Sequence, residues 1–124
     1  MPITILLADD HKIVRQGLRE LMEKEEDFAV IAEADDGRDA VELASELTPD
    51  IAIIDVRMPD MNGIDATRHL INACPMIRVI GLSMHADRRY VTEMLKSGAR
   101  GYLLKDCAFE ELVTAIRTVL RSEE

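Results

Sequence analysis

Three aspartates stand at the ends of two short apolar segments, and they are the residues with the clearest potential for chemistry. Ile3–Ala8 is followed directly by Asp9 and Asp10, and the run Ile51–Ile54 is followed by Asp55. Two carboxylates about 4 Å apart repel each other by roughly 4 kcal/mol at an effective dielectric constant near 20. If the fold brings these acids together, a cation should therefore lie between them.

Apolar and amphipathic segments alternate along the chain. The short apolar runs predict buried β-strands, and the segments between them repeat apolar residues at helical spacing. The predicted strands are Ile3–Ala8, Phe28–Ala32, Ile51–Ile54, Ile77–Leu82 and Gly101–Leu104. The predicted helices are His11–Lys24, Gly37–Leu47, Ile64–Ala73, Ala86–Lys96 (with Ser97-Gly98 as a left-handed cap), and a last helix through Phe109 and Leu120 with Asp106 as N-cap. This alternation is typical of an α/β protein with a parallel sheet covered on both faces.

The candidate functional residues fall at the carboxyl ends of the predicted strands. Asp9 and Asp10 follow the first strand, Asp55 the third, Ser83 the fourth and Lys105 the fifth. Open parallel sheets bind ligands beyond these strand ends, where the strand order reverses. We therefore expect the five side chains to meet at one edge of the sheet.

Composition limits the class of protein and its partners. The chain has 124 residues and a formal net charge of −9, which predicts one globular domain without direct nucleic-acid contact. No stretch approaches the length of a membrane span and no leader-like segment precedes the first strand, so we expect no membrane contact. Cys74 and Cys107 have no metal-binding spacing, and reduced thiols in the cytoplasm are the expectation.

Four sequence blocks together resemble the receiver domains of two-component response regulators. The DDH, LSMH and GYLLKD variants are most similar to the NarL/FixJ group. The blocks are Leu7-Ala8-Asp9-Asp10-His11, Ile54-Asp55-Val56-Arg57-Met58-Pro59, Gly81-Leu82-Ser83 and Gly101-Tyr102-Leu103-Leu104-Lys105. The resemblance implies a flavodoxin-like (βα)5 fold: a doubly wound, five-stranded parallel sheet of order 2-1-3-4-5 in three layers. It implies one receiver domain over residues 1–124, with a helix-turn-helix output domain outside this chain; a stand-alone receiver is the alternative.

The same resemblance assigns a role to each acid. Asp55 would accept a phosphoryl group from a sensor histidine kinase. Asp9, Asp10 and Asp55 would bind Mg²⁺ together with the backbone carbonyl of Arg57, and Asp9 would act directly or through a water. Magnesium suits oxygen ligands and keeps several waters. Taken alone, the pair Asp9-Asp10 could also be a solvated helix start.

Three further residues would respond to the phosphoryl group. Lys105 would pair with it, Ser83 would hydrogen-bond one of its oxygens, and Tyr102 would turn inward behind Ser83. Taken alone, each has a plainer interpretation: a solvated lysine, a loop-entry serine and a static strand aromatic. Arg57, Met84 and His85 would flank the site and tune the lifetime of the phosphoryl group, with Met84 narrowing access for water; simple packing is the alternative for Met84.

One position departs from the family pattern. The family commonly has proline after the lysine with a cis peptide bond between them, whereas Asp106 follows Lys105 here. A non-proline cis bond costs about 2.5–4 kcal/mol, so we expect a trans bond. Of the other histidines, we expect His11 to start a helix rather than bind a metal, and His69 to lie on a helix surface.

Three functions remain open from the sequence. The resemblance favours a phosphorylation-dependent signalling switch rather than a turnover enzyme, with intrinsic autophosphorylation from phosphodonors and autodephosphorylation. Its partners would be the kinase and its own output domain, with either altered dimerisation or release of that domain as the response, and transcription as the controlled process. An inactive receiver used only for protein interaction is the second function. A phosphatase of the haloacid dehalogenase type is the third, although its Asp-x-Asp motif does not occur after the first strand.

Overall fold

The sheet has five parallel strands, and each is followed by a helix. The computed structural model of the chain describes residues 2–84 and 88–121. The strands are β1 (Ile3–Ala8), β2 (Phe28–Ala34), β3 (Ile51–Asp55), β4 (Arg78–Ser83) and β5 (Gly101–Leu104). The helices are α1 (Lys12–Glu23), α2 (Gly37–Leu47), α3 (Gly63–Ala73), α4 (Arg88–Lys96) and α5 (Lys105–Arg121).

The strand order is β2-β1-β3-β4-β5, with every neighbouring pair parallel, as predicted. Successive residues of the central strand β3 face two separate cores. Ile53 of β3 packs in the core that α1 and α5 cover, which includes Leu112. Ile54 packs in the core that α2, α3 and α4 cover, which includes Leu70. The predicted three-layer arrangement is confirmed, and the order reverses between β1 and β3, beside Asp9 and Asp55.

Three helix ends follow from local sequence. Asp36 and Asn62 cap α2 and α3 by accepting backbone N–H bonds from the third residue beyond each, as short polar N-cap residues do. After α4, Gly98 has a φ of +114°, and the Gly98 and Ala99 N–H groups donate to the carbonyls of Leu95 and Met94. This is a Schellman motif, so the predicted left-handed cap is confirmed.

The predicted N-cap of the last helix is wrong. α5 begins at Lys105, immediately after β5, so Asp106 lies in the first helical turn. An acid there still interacts favourably with the helix dipole. The described residues contain no cis peptide bond, so the Lys105–Asp106 bond is trans as expected. The predicted start of the fourth helix at Ala86 lies outside the described residues.

None of the helices in the two described ranges combines the length and apolar character that a bilayer crossing would require.

Candidate functional site

The predicted site residues do meet at the carboxyl edge of the sheet. Asp9 follows β1, Asp55 ends β3, Ser83 ends β4, and Lys105 follows β5. All four residues are buried, with Asp9 fully inaccessible and Lys105 only 4% exposed. Burying three ionisable side chains is favourable only when they pair with one another or with a bound ion. Asp10 is exposed and lies at the rim.

The cation that we expected between the acids is Lys105 in this structure. Its Nζ lies 2.9 Å from Asp55 Oδ2, 3.1 Å from Asp9 Oδ1 and 3.0 Å from Asp9 Oδ2. A single ammonium thus bridges carboxylates from the first and third strands. The helix that begins at Lys105 holds this side chain rigidly at the start of α5, so the bridge ties three sequence-distant segments together.

The pocket changes the proton affinities of Asp55 and Lys105. Burial raises the pKa of Asp55 from 3.8 to about 6; the Lys105 hydrogen bond opposes this rise, and the negative charge of Asp9 adds to it. Burial disfavours the charged form of Lys105, but hydrogen bonds to Asp55 and Asp9 outweigh it, so the pKa of Lys105 is raised. The pocket therefore disfavours the charged form of Asp55, and an additional cation bound beside it would stabilise that form.

The acids fit a divalent cation. Asp9, Asp10, His11 and Asp55 each offer a ligand atom, and these atoms lie within 4.8 Å of one another. Asp9 Oδ2 is buried and makes no hydrogen bond to any described residue, although the Lys105 ammonium lies near it. A buried carboxylate oxygen with spare coordinating capacity suits a metal ion. Asp9, Asp10 and Asp55 would hold a divalent metal ion.

The loop after β3 shapes the pocket around Asp55. The Arg57 N–H donates to Asp55 Oδ1 at 3.2 Å, and the Gly63 N–H donates to the Val56 carbonyl at 2.8 Å. A Cβ on Gly63 would lie 2.2 Å from the Asp55 carbonyl oxygen, so only glycine lets the loop close this tightly over β3. The role of the Arg57 carbonyl in metal binding remains a prediction.

The predicted switch and lifetime residues are placed as follows. Ser83 pairs in register with Leu104, next to Lys105, and Tyr102 pairs with Gly81 on β4. Tyr102 is half-buried against the α2–α4 core. Met84 is 54% exposed, and it lines a cavity of about 280 Å³. The other residues that line this cavity are Asp10, His11, Asp55, Arg57 and Lys105. His85 lies outside the described residues.

The structure reveals two site contacts that the sequence analysis missed. The ring of His11 turns into the acid cluster, with Nδ1 3.0 Å from both Asp10 Oδ1 and Lys105 Nζ. Arg15 donates to the Asp9 carbonyl at 2.6 Å and to Glu33 at 3.0 Å, which fixes the loop after β1. The one sequence feature that could have indicated the Arg15 contact is its position one helical turn after His11. His69 is exposed on α3, as expected.

Comparisons with known proteins agree with this geometry. The model of the response regulator receiver domain matches residues 5–117. The transcriptional regulatory protein DegU of Brevibacillus brevis is 43% identical over 117 residues, which is 94% of this chain and 50% of the relative. The chain spans about half the length of the curated relatives it matches.

Solved structures of similar proteins share the fold. A LuxR-family response regulator from Aurantimonas sp. SI85-9A1 has a TM-score of 0.92 at 38% identity, over 98% of this chain and 87% of that one. The receiver domain of NarL from Mycobacterium tuberculosis has a TM-score of 0.88 at 33% identity, over 94% of each chain. With the acids, the lysine and the strand order in place, this chain belongs to the receiver domains of two-component response regulators, within the NarL/FixJ group.

Proposed function

We propose that this receiver domain accepts a phosphoryl group on Asp55 from the phosphohistidine of a sensor kinase and acts as a Mg²⁺-dependent switch. The observation that carries the proposal is the Lys105 ammonium, which lies 2.9 Å from Asp55 and within 3.1 Å of Asp9 in a buried pocket. Phosphoryl transfer requires mainly positioning and neutralisation of charge, and these residues supply both.

The transfer step uses the nucleophilicity of Asp55. A carboxylate oxygen attacks phosphorus, a P–O bond forms, and the P–N bond of the donor breaks. The electron pair of that bond stays on the donor imidazole. With acetyl phosphate the P–O bond to the acetyl group breaks instead, and acetate leaves. Mg²⁺ held by Asp9, Asp10 and Asp55 would supply positive charge to the phosphoryl oxygens. Lys105 keeps Asp55 oriented before transfer and pairs with a phosphoryl oxygen afterwards.

Hydrolysis resets the switch at the same pocket. A water attacks phosphorus, inorganic phosphate leaves, and the Asp55 carboxylate is restored. Water must enter through the mouth that Met84 and Arg57 line beside Asp55. These side chains, with His85, are therefore proposed to set the lifetime of the phosphoryl group.

Phosphorylation would reach the surface through Ser83 and Tyr102. A phosphoryl group adds nearly two negative charges and three acceptor oxygens, which would attract the Ser83 hydroxyl and Lys105. Tyr102 would then fill the space behind Ser83. The surface formed by α4, β5 and α5 would change as the population shifts between two packings.

The output is proposed from the relatives. DegU is named a transcriptional regulatory protein, and the Aurantimonas protein is of the LuxR family. Because the chain spans about half of such relatives, we propose that it controls a helix-turn-helix output domain, and through it transcription, in the cytoplasm. The response would be altered dimerisation or release of that domain. The receiver itself would not contact nucleic acid.

The test is covalent labelling by acetyl phosphate followed by mass spectrometry. We expect one added phosphoryl group on the intact protein with Mg²⁺, none with EDTA, and none in Asp55→Asn. Asp65→Asn, an exposed acid in the first turn of α3, is the matched control and should be labelled like the unchanged protein. Labelling that persists in Asp55→Asn would refute the assignment. Absence of labelling in the intact protein would favour the interaction-module function, and multiple turnover on an aryl phosphate would favour a phosphatase.

A further inference from the structure

We infer that His11 is a nitrogen ligand of this metal site, and that it makes the site prefer cobalt-, nickel- or zinc-like divalent ions over Mg²⁺. The inference rests on the proposed metal-binding role of the same acids. The geometry that carries it is the convergence of His11 Nδ1 with Asp9, Asp10 and Asp55 oxygens within 4.8 Å.

The contact with Lys105 shows which nitrogen of the His11 ring faces the pocket. Lys105 Nζ lies 3.0 Å from His11 Nδ1, and an ammonium group has only protons to offer. A metal ion bound at Nδ1 would use the lone pair of this nitrogen, with the ring proton on Nε2. The side chain of His11 is 54% exposed, so Nε2 has access to water.

The same ring nitrogen lies close to two carboxylates. Nδ1 is 3.1 Å from Asp9 Oδ1 and 3.0 Å from Asp10 Oδ1. A shared cation would stabilise the two carboxylate oxygens and the imidazole nitrogen at these separations. Lys105 fills that role for Asp9 and His11.

The separations match those of ligands around a single metal ion. Metal–ligand bonds of about 2.1 Å place adjacent octahedral ligands roughly 3.0 Å apart and opposite ones roughly 4.2 Å apart. Nδ1 lies at the adjacent spacing from the Asp9 and Asp10 oxygens, and 3.9 Å from Asp55 Oδ2, nearer the opposite spacing. The buried Asp9 Oδ2 has an ion-pair contact with the Lys105 ammonium at 3.0 Å but no hydrogen bond from the described residues, so it keeps a lone pair that a metal ion could use.

The chemistry of the donor set then determines which ion binds best. Imidazole is a good ligand for zinc, nickel and cobalt, whereas magnesium prefers oxygen and retains water. With Mg²⁺, a water would take the place of Nδ1. With Co²⁺ or Ni²⁺, Nδ1 would bind directly and displace the Lys105 ammonium from the ring.

The test compares two ions in two histidine variants. Isothermal titration with Mg²⁺ and with Co²⁺ would use the intact protein, His11→Asn, and His69→Asn as the matched surface-histidine control. We expect His11→Asn to weaken Co²⁺ binding by about tenfold or more and Mg²⁺ binding by less than about twofold. His69→Asn should change neither affinity. Retained Mg²⁺ binding also shows that the variant is folded around an intact acid site.

Proton NMR gives a second readout that does not depend on phosphorylation. In the Co²⁺ complex, the Nε2 proton of a coordinated His11 should give one strongly shifted, exchangeable signal that His11→Asn removes and His69→Asn retains. Equal Co²⁺ affinity in His11→Asn, or persistence of that signal, would overturn the inference while leaving the proposed switch intact. If neither ion bound the intact protein, the proposed Mg²⁺ dependence would fail as well.

Discussion

The pocket around Asp55 contains groups that stabilise its charged form and groups that destabilise it. Lys105 attracts its charge, while burial and the neighbouring Asp9 oppose it, and the net result is a pKa raised to about 6. Because the pKa of Asp55 is higher in the folded state, its contribution to the stability of the fold is greatest below the unfolded pKa of 3.8. This stabilisation is lost as the pH rises through about 6. At neutral pH the folded protein therefore carries the Asp55 charge at a thermodynamic disadvantage.

Asp55→Asn should stabilise the metal-free domain at pH 7. Each pKa unit corresponds to about 1.4 kcal/mol, and the pKa of about 6 already includes the Lys105 attraction; solvent screening reduces the gain further, so we expect roughly 1–2 kcal/mol. Urea denaturation in EDTA measures it. Glu20→Gln on the exposed side of α1 is the control and should change little. A less stable Asp55→Asn would mean that the Lys105 pair outweighs burial and the repulsion from Asp9.

Met84 lines the cavity around Asp55 while remaining 54% exposed, so it can obstruct entry without supporting the core. Met84→Ala should shorten the phosphoryl lifetime by about two- to tenfold, a barrier change near 1 kcal/mol, because water reaches phosphorus more easily. The decay of acetyl-phosphate-labelled protein after removal of the donor measures this rate. Met76→Ala, on another exposed methionine, is the control. An unchanged or longer lifetime would leave Met84 as packing alone.

At the level of elements, the sequence predicted more of the fold than of the site geometry. The bounds of α2 and β5 agree with the prediction because capping residues and short β-rich runs are local signals. The start of α5 was placed too late because a helix that follows a strand without a loop leaves no separate turn signal. The turn of His11 into the acid cluster was missed because it depends on a side-chain rotamer, which no spacing encodes.

The contact between β4 and β5 is close at Gly81. A Cβ there would lie 2.8 Å from Met94 Cε and 3.1 Å from Tyr102 Cδ2, so the residue at position 81 limits where the tyrosine ring can lie. The absence of a side chain on Gly81 leaves the space in which the Tyr102 ring now packs. This link between the two strands is where a switch in packing would be most sensitive to volume.

Gly81→Ala should lower the free energy of unfolding by about 1–3 kcal/mol, as overpacking does, and should weaken the response of Tyr102 to phosphorylation. Denaturation measures the first effect, and the NMR shifts of Tyr102 with and without acetyl phosphate measure the second. Gly101→Ala is the matched control, because the nearest atoms to its Cβ lie at an ordinary 3.6 Å. Equal losses of stability in the two variants would contradict the steric argument.

Across the whole molecule, the two edges of the sheet differ in their electrostatics: acids repel one another at the carboxyl edge, and ion pairs stabilise the opposite edge. The carboxyl edge collects acids around one lysine, whereas the opposite edge is closed by Arg117 of α5. Arg117 donates to both Asp27 oxygens at 2.8 and 2.9 Å and to Glu25 at 2.9 Å, and it lies over the Phe28 ring. The Asp27 carbonyl also accepts the Ile3 N–H at 2.7 Å. These contacts join the last helix to the starts of β1 and β2. They stabilise the amino-terminal edge of the sheet, opposite the edge where the acids repel one another.

This closure should depend on pH through Asp27. The hydrogen bonds from Arg117 lower the pKa of Asp27 below 3.8, so its stabilising contribution is present above the unfolded pKa and is lost as the pH falls through the lower folded value. Asp27→Asn should therefore melt below the unchanged protein at pH 7, by roughly a few degrees at most because the pair is exposed, and the difference should vanish in strong acid. Thermal melting followed by circular dichroism between pH 2 and pH 7, with the exposed neighbour Glu26→Gln as control, measures the difference. If the difference in melting temperature persisted unchanged in acid, Asp27 would stabilise the fold through hydrogen bonds that do not require its charge.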